Sequence, residues 1–203
     1  MMDAMVIPWA LRATVAAIVL VIVACDGSAS ATPAVRGPWQ ARPFDRLDLA
    51  LAQAAENACR AKTPQAAGML VLLHDQRGGG IDTVVFGGPD GQAFCQVSKE
   101  ADGEVLWLTS NANSGPPSQV PAPLGILIDS MGSTSASDVE TVSTIDGRTG
   151  AGIVRVRILL NDGSEVAATT SNGAFYAWWP GEALASTLFG DDANGRMVAS
   201  ATP

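Results

Sequence analysis

The chain has 203 residues, 47% of them hydrophobic and 16% charged, with a formal net charge of −8. That much apolar material supports a folded core and excludes wholesale disorder. The acidic balance, with two Lys, ten Arg and no basic run, excludes a nucleic-acid surface, which needs clustered cations. One His and three Cys leave little for a metal centre or a His-based reaction, so no cofactor is expected.

Arg12 precedes Ala13–Ala24, a stretch of twelve residues in which Thr14 is the only polar one. Twelve apolar residues make about 18 Å of helix, too short for a bilayer core of about 30 Å. A signal peptide over residues 1–24 fits better. Ile22-Val23-Ala24-Cys25 resembles the bacterial lipobox. The resemblance implies that Cys25 becomes the lipid-modified first residue of the mature chain. Two or more acyl chains would then hold the protein at the outer face of the cytoplasmic membrane. The alternative is an uncleaved single-pass membrane helix with Cys25 as an ordinary thiol. With Cys25 acylated, Cys59 and Cys95 form an even pair in an oxidising compartment. A bridge between them stabilises by roughly 3–4 kcal/mol in the chain-entropy model. Two buried free thiols are the competing reading.

Residues 25–43 are small, polar and proline-rich and predict a flexible tether. The first half, 44–109, opens with a helix over 45–62, capped by Asp45, with Leu47, Leu51, Ala54, Ala55 and Ala58 at helical spacing. From Gly68 the period changes to two. Strands are expected near 69–74, 81–87, 92–98 and 104–109. Residues 110–123, with four prolines, predict a linker or long loop. In the second half, 124–203, strands are expected near 124–129, 137–145, 152–160, 164–170, 173–179 and 195–200. The fold class is therefore mainly β with one helix, in antiparallel, sandwich-like sheets. A shift of 72 residues aligns Gly78, Gly80, Ile81, Val84, Asp90 and Gly91 with Gly150, Gly152, Ile153, Val156, Asp162 and Gly163. Two similar β-meander halves and a chance likeness both stay open.

Turn chemistry sets the register of the C-terminal strands. Asn161-Asp162-Gly163 suits a three-residue hairpin and Asn172-Gly173 a type I′ turn. Both give one apolar face: Val154, Val156, Ile158, Val166, Ala168, Phe175, Ala177 and Trp179. The opposite face carries the rows Arg155–Thr169–Tyr176 and Arg157–Ala167–Trp178. Arg155, Arg157, Tyr176 and Trp178 are thus a candidate binding face for a sugar, an acidic group or an aromatic group. Cover by another part of the chain is the alternative. In the first half, Gly88-Pro89-Asp90-Gly91 predicts Phe86 opposite Phe94, with Cys95 beside Val85 on the other face.

Nucleophile elbows and phosphate-cradling loops are missing. His74 beside Asp75 suggests a base with its orienter only superficially, and Asp191-Asp192-Ala193-Asn194-Gly195 reads as a turn rather than a Ca²⁺ loop. The stretch from Val154 through Asp162-Gly163, Val166, Ala168-Thr169, Asn172-Gly173 and Phe175 to Ala177-Trp178-Trp179-Pro180-Gly181 resembles a recurrent C-terminal signature. It is similar to that of uncharacterised exported or membrane-anchored proteins of high-GC Gram-positive bacteria. The resemblance implies a small extracytoplasmic β module without a transferable activity. The expected role is non-catalytic binding at the cell envelope, with an envelope protein or glycan as partner. An exported wall or glycan hydrolase and a regulatory domain of a membrane partner are the alternatives.

Overall fold

The computed structural model describes residues 39–203 apart from 79, 90, 100–103, 115–118 and 135–140, and only the backbone of 107, 113, 114 and 134. The signal segment, Cys25 and residues 26–38 of the tether lie outside the described residues. Helix α1 runs Leu49–Lys62, and Asp48 rather than Asp45 caps it, accepting from Ala50 N at 3.0 Å and Leu51 N at 3.1 Å. Leu47 therefore falls outside the buried stripe, which is Leu51, Ala52, Ala55 and Cys59. Arg60 and Lys62 in the last turn complement the helix dipole.

Four strands follow as an antiparallel meander: β1 (Leu70–Gly78), β2 (Ile81–Gly88), β3 (Gly91–Lys99) and β4 (Val105–Ser114). β4 runs five residues into the stretch read as a linker, because β3 supplies backbone partners as far as Ser114 and Ala112 packs on the core. Period-two pattern is weak in Ser110–Ser114, and tertiary pairing overrides it. The β2–β3 register differs from expectation by one residue: Gly88 pairs with Gly91, Val85 with Phe94, and Phe86 with Ala93. Gly91 (φ +142°) belongs to the ladder instead of serving as the left-handed third loop residue. Cys95 consequently lies opposite Val84 and shares a face with Phe86. On that face α1 docks, and Cys59 and Cys95 are bridged, with Cα atoms 5.7 Å apart.

The second half is β5 (Ile126–Thr134), β6 (Val142–Thr149), β7 (Arg155–Leu160), β8 (Glu165–Ala167), β9 (Thr169–Ser171), β10 (Ala174–Pro180), β11 (Ala185–Asp191) and β12 (Met197–Ala201). Its sheets have the orders β5-β6-β10-β9 and β12-β11-β7-β8, so it does not repeat the meander of the first half. β8 and β9 are one strand that changes partner at Ala168, pairing first with β7 and then with β10. Both turns behave as their residues require. Gly163 has φ +86°, and Asn172 and Gly173 have φ +51° and +73°. Ile158 pairs with Val166, and Phe175 with Thr170.

Seven of the eight expected apolar-face residues meet in one core between these two sheets, joined by Ile145, Ile153, Leu160, Ala185 and Leu188. Val154 is the exception at 52% exposure, since it precedes β7 and its N–H goes to Asp191 O. Gly147 in β6 is required by close approach: a Cβ there would overlap Leu127 O and the Phe175 ring.

The two halves meet through β10. Its outer face, Ala174, Tyr176 and Trp178, packs on Leu73, Ile81 and Val85 of the meander. The binding face expected from the sequence is therefore corrected: Tyr176 and Trp178 are fully buried. Tyr176 lies 5.5 Å from Phe94, ring centre to ring centre, and burial pushes its phenol far above the usual range, with Asp75 adding to the shift. A bare face of that size would expose two large aromatics, and the first sheet removes it from water.

Polar groups line the same buried zone. Asp146, opposite Tyr176 in the ladder and 2% exposed, accepts from Ser130 Oγ. Burial pushes its carboxyl up to about 6, against the Ser130 hydrogen bond and with help from Asp129. The folded state thus holds this proton more tightly than the unfolded chain, and stability falls as pH rises between the two pKa values. Asp146→Asn should raise stability by up to about 3 kcal/mol at pH 7–8, with the gain disappearing below about pH 4. Denaturant unfolding of both proteins across that range checks it. An unchanged or lower stability at pH 8 would show that the carboxylate is needed there.

Candidate binding site at the strap

Residues 39–44, of which 39–43 were expected to be tether, are a strap laid along the outer edge of β1. Gln40 N donates to Arg77 O at 2.8 Å, and Phe44 N donates to Gln76 O at 2.7 Å. On the other side Ala167 N donates to Ala41 O at 2.8 Å, so the strap ties the meander to the strand that changes sheets. Trp39 anchors it: its ring meets Trp178 edge-on at 6.4 Å, and its Nε1 donates to Trp178 O. The signal for this was present in the sequence, since an aromatic, Trp39, is out of place in a flexible linker, and a second, Phe44, follows directly after that stretch.

Two grooves flank the strap, and Pro43 lines both. The first, of about 460 Å³, is bordered by Arg42, Asp45, Arg155, Arg157 and Glu165. Arg157 is fixed in place. It donates from Nε and Nη2 to Asp191 at 2.9 and 3.1 Å and from Nη1 to Glu165 at 3.1 Å. Its guanidinium also stacks 5.4 Å from the Phe189 ring centre. The aromatic neighbour of Arg157 is thus Phe189, on the strand that the sequence did not reveal, and not Trp178. Hydrogen bonds from Arg157 hold the Asp191 carboxyl below its ordinary range, and Arg155 adds to that through space. Arg42 and Arg155 are exposed, and among the described residues neither has a hydrogen-bonded acidic partner. These two cations are available to a ligand, whereas the charge of Arg157 is already met.

The second groove, of about 450 Å³, is walled by Phe44, Leu47, Val71, Leu72 and Leu73, with His74 and Asn172 among its polar members. Phe44 and Leu47 stay 38% and 39% exposed there. His74 does have an orienting carboxylate, but it is Asp82 rather than the neighbouring Asp75: Nδ1 and Oδ2 are 3.0 Å apart. Asp82 is buried and its carboxyl is raised by desolvation, with His74 and Gln76 pulling the other way. Gln76 donates to the same Asp82 oxygen at 2.9 Å and also receives Asp48 N at 2.8 Å, so the cluster pins the entry to α1.

Of the residues singled out by sequence, Arg155 and Arg157 come together at the first groove. Cys59 and Cys95 form a bridge under α1, Tyr176 and Trp178 are interior, and Cys25 lies outside the described residues. Asp192 is a turn residue, its Oδ1 accepting from Asn194 N and Arg196 N. Among the described residues no cluster suited to a metal ion occurs, and no helix is long and apolar enough to cross a membrane.

The chain matches no family model, no curated protein and no solved structure.

Proposed function

We propose that this chain is an extracytoplasmic, lipid-anchored β module that binds a partner or ligand at the cell envelope without catalysing a reaction. The observation that carries the binding role is the pair of grooves at the strap, with Arg42 and Arg155 exposed and Phe44 and Leu47 half-exposed on either side of Pro43. The Cys59–Cys95 bridge supports residence in an oxidising compartment. The Ile22-Val23-Ala24-Cys25 tetrapeptide supports the anchor.

Intact mass of the native protein extracted from membranes, with and without reductant, tests the address. The expected mass is that of residues 25–203 plus acyl groups, gaining two hydrogens on reduction. A full-length unacylated mass would replace the lipid anchor by a membrane segment and favour a regulatory domain acting on a membrane partner.

One observation favours a second reading, an exported hydrolase. His74, held by Asp82 and lining the apolar groove, has the arrangement of a general base. Turnover of a chromogenic ester or glycoside that is lost in His74→Ala would establish it.

A further inference from the structure

Two adjoining grooves of opposite character restrict what can fill them. The first offers two cations, Arg42 and Arg155, that have no hydrogen-bonded acidic partner among the described residues, on a rim stiffened by Arg157. Guanidinium groups of this kind take a carboxylate or phosphate through paired N–H donors. The second offers Phe44, Leu47, Val71 and Leu72, with Phe44 and Leu47 more than a third exposed. Each has a volume within the ~300–1,000 Å³ range of small-molecule sites, and Pro43 is the shared wall between them. A small polar anion leaves the apolar walls wet, and a hydrocarbon leaves the cations without a partner. A molecule with an acidic head and an apolar chain satisfies both.

We propose that the two grooves form one site for a single-chain anionic amphiphile. Its carboxylate or phosphate head sits between Arg42 and Arg155, and its acyl chain crosses Pro43 to lie against Phe44, Leu47 and Leu72. The strap is then a ligand-binding element. Backbone bonds at Gln40, Ala41 and Phe44 hold it rigid enough to present both halves, which limits the ordering cost of binding. Glu165 and Asp45 at the rim of the first groove repel a second acidic group, so a singly acidic head is preferred to a polyanion. The proposal rests on the binding role above and does not depend on the anchor, which the intact mass tests separately.

Calorimetric titration of the full chain with decanoate, decyl phosphate, decanol and acetate, all far below micellar concentrations, tests it. One of the two acids should bind at a single site, and the tighter of them identifies the head group. Decanol should bind at least tenfold more weakly and acetate not measurably. Arg155→Gln should weaken the acid about tenfold or more, as expected for a lost hydrogen bond to a charged group. Leu47→Gln should weaken it severalfold while leaving acetate unaffected. Both positions are exposed, so the melting temperature should stay within a few degrees and report that the fold is intact. Decanol binding as tightly as the acids, absence of binding by both acids, or unchanged affinity in both variants would each overturn the proposal.

Discussion

Replacing Arg77 with Ala should destabilise the fold by about 3–5 kcal/mol, the cost of stranding a buried charge. Arg77 and Asp75 point from the same face of β1 into the zone between the halves, and both side chains are inaccessible to solvent. The guanidinium donates to Asp75 from Nε at 2.7 Å and from Nη2, and to Ala167 O from Nη1 at 2.8 Å. Thr169 Oγ1 adds a further bond to Asp75 at 2.9 Å. Without Arg77, Asp75 keeps only that hydroxyl among the described residues, and the carbonyl of Ala167 loses the Arg77 donor. Removing both charges at once, as in Asp75→Leu with Arg77→Met, should recover most of the loss, because burying an ion pair is itself costly. Urea unfolding of the two variants at pH 7 measures this. A single-variant loss under 1 kcal/mol would show that the pair is open to water, and a double variant worse than Arg77→Ala would show that the ion pair outweighs its own desolvation.

Trp178→Ala should cost about 3–5 kcal/mol, the range for truncating a large buried aromatic. That is about 10 °C in melting temperature for a folded region of this size. Had the indole been part of an exposed binding face, the same substitution would leave the melting temperature nearly unchanged. The structure decides for burial: Trp178 is 0% exposed, with Trp39 at its edge and Leu73, Ile81 and Val85 in the same core. Trp178→Phe should cost much less. The buried Nε1 of Trp178 has no hydrogen-bond partner among the described residues, so the smaller ring removes an unsatisfied donor as well as volume. Thermal melts of the two variants provide the check, and equal losses would point to a role for the N–H.

The contrast between these residues and Arg155 shows what was legible beforehand. Asn161-Asp162-Gly163 and Asn172-Gly173 dictate the backbone at two hairpins, so the pairing of Ile158 with Val166 and Phe175 with Thr170 could be read directly. From it followed a core of Val156, Ile158, Val166, Ala168, Phe175, Ala177 and Trp179. The cysteine pair was legible for a similar reason, being even in number once Cys25 is set aside. What could not be read was the partner of each second face. Tyr176 and Trp178 point away from the local core, and only the docking of the meander, nearly a hundred residues earlier in the chain, decides that they are interior.

The same is true of Asp75 and Arg77, which in isolation look like the polar end of a strand. Their burial depends on Ala167 and Thr169 arriving from the other half. β11 was missed because Ala185–Asp191 mixes Ser186 and Thr187 with a register shift between Ala185 and Thr187, which blurs alternation. The candidate site was half legible. Arg155 and Arg157 follow from the hairpin register, whereas Arg42 sits in a segment whose Pro-rich composition disguised a docked strap, and Leu47 was read as part of the buried stripe of the helix, which begins only at Leu49.

The order in which the chain is made gives the β10 interface a further meaning. Leu73, Ile81 and Val85 emerge from the ribosome roughly a hundred residues before Tyr176 and Trp178, which cover them. α1 can close over the opposite face of the meander early, but its inner face has no cover until β10 is complete. The nascent chain therefore carries a half-finished, sticky sheet while the intervening residues are made, and such surfaces are where aggregation begins. A holdase that masks apolar strands would have its principal substrate here, and a truncation ending before Ala174 should be insoluble even though the entire first sheet is present.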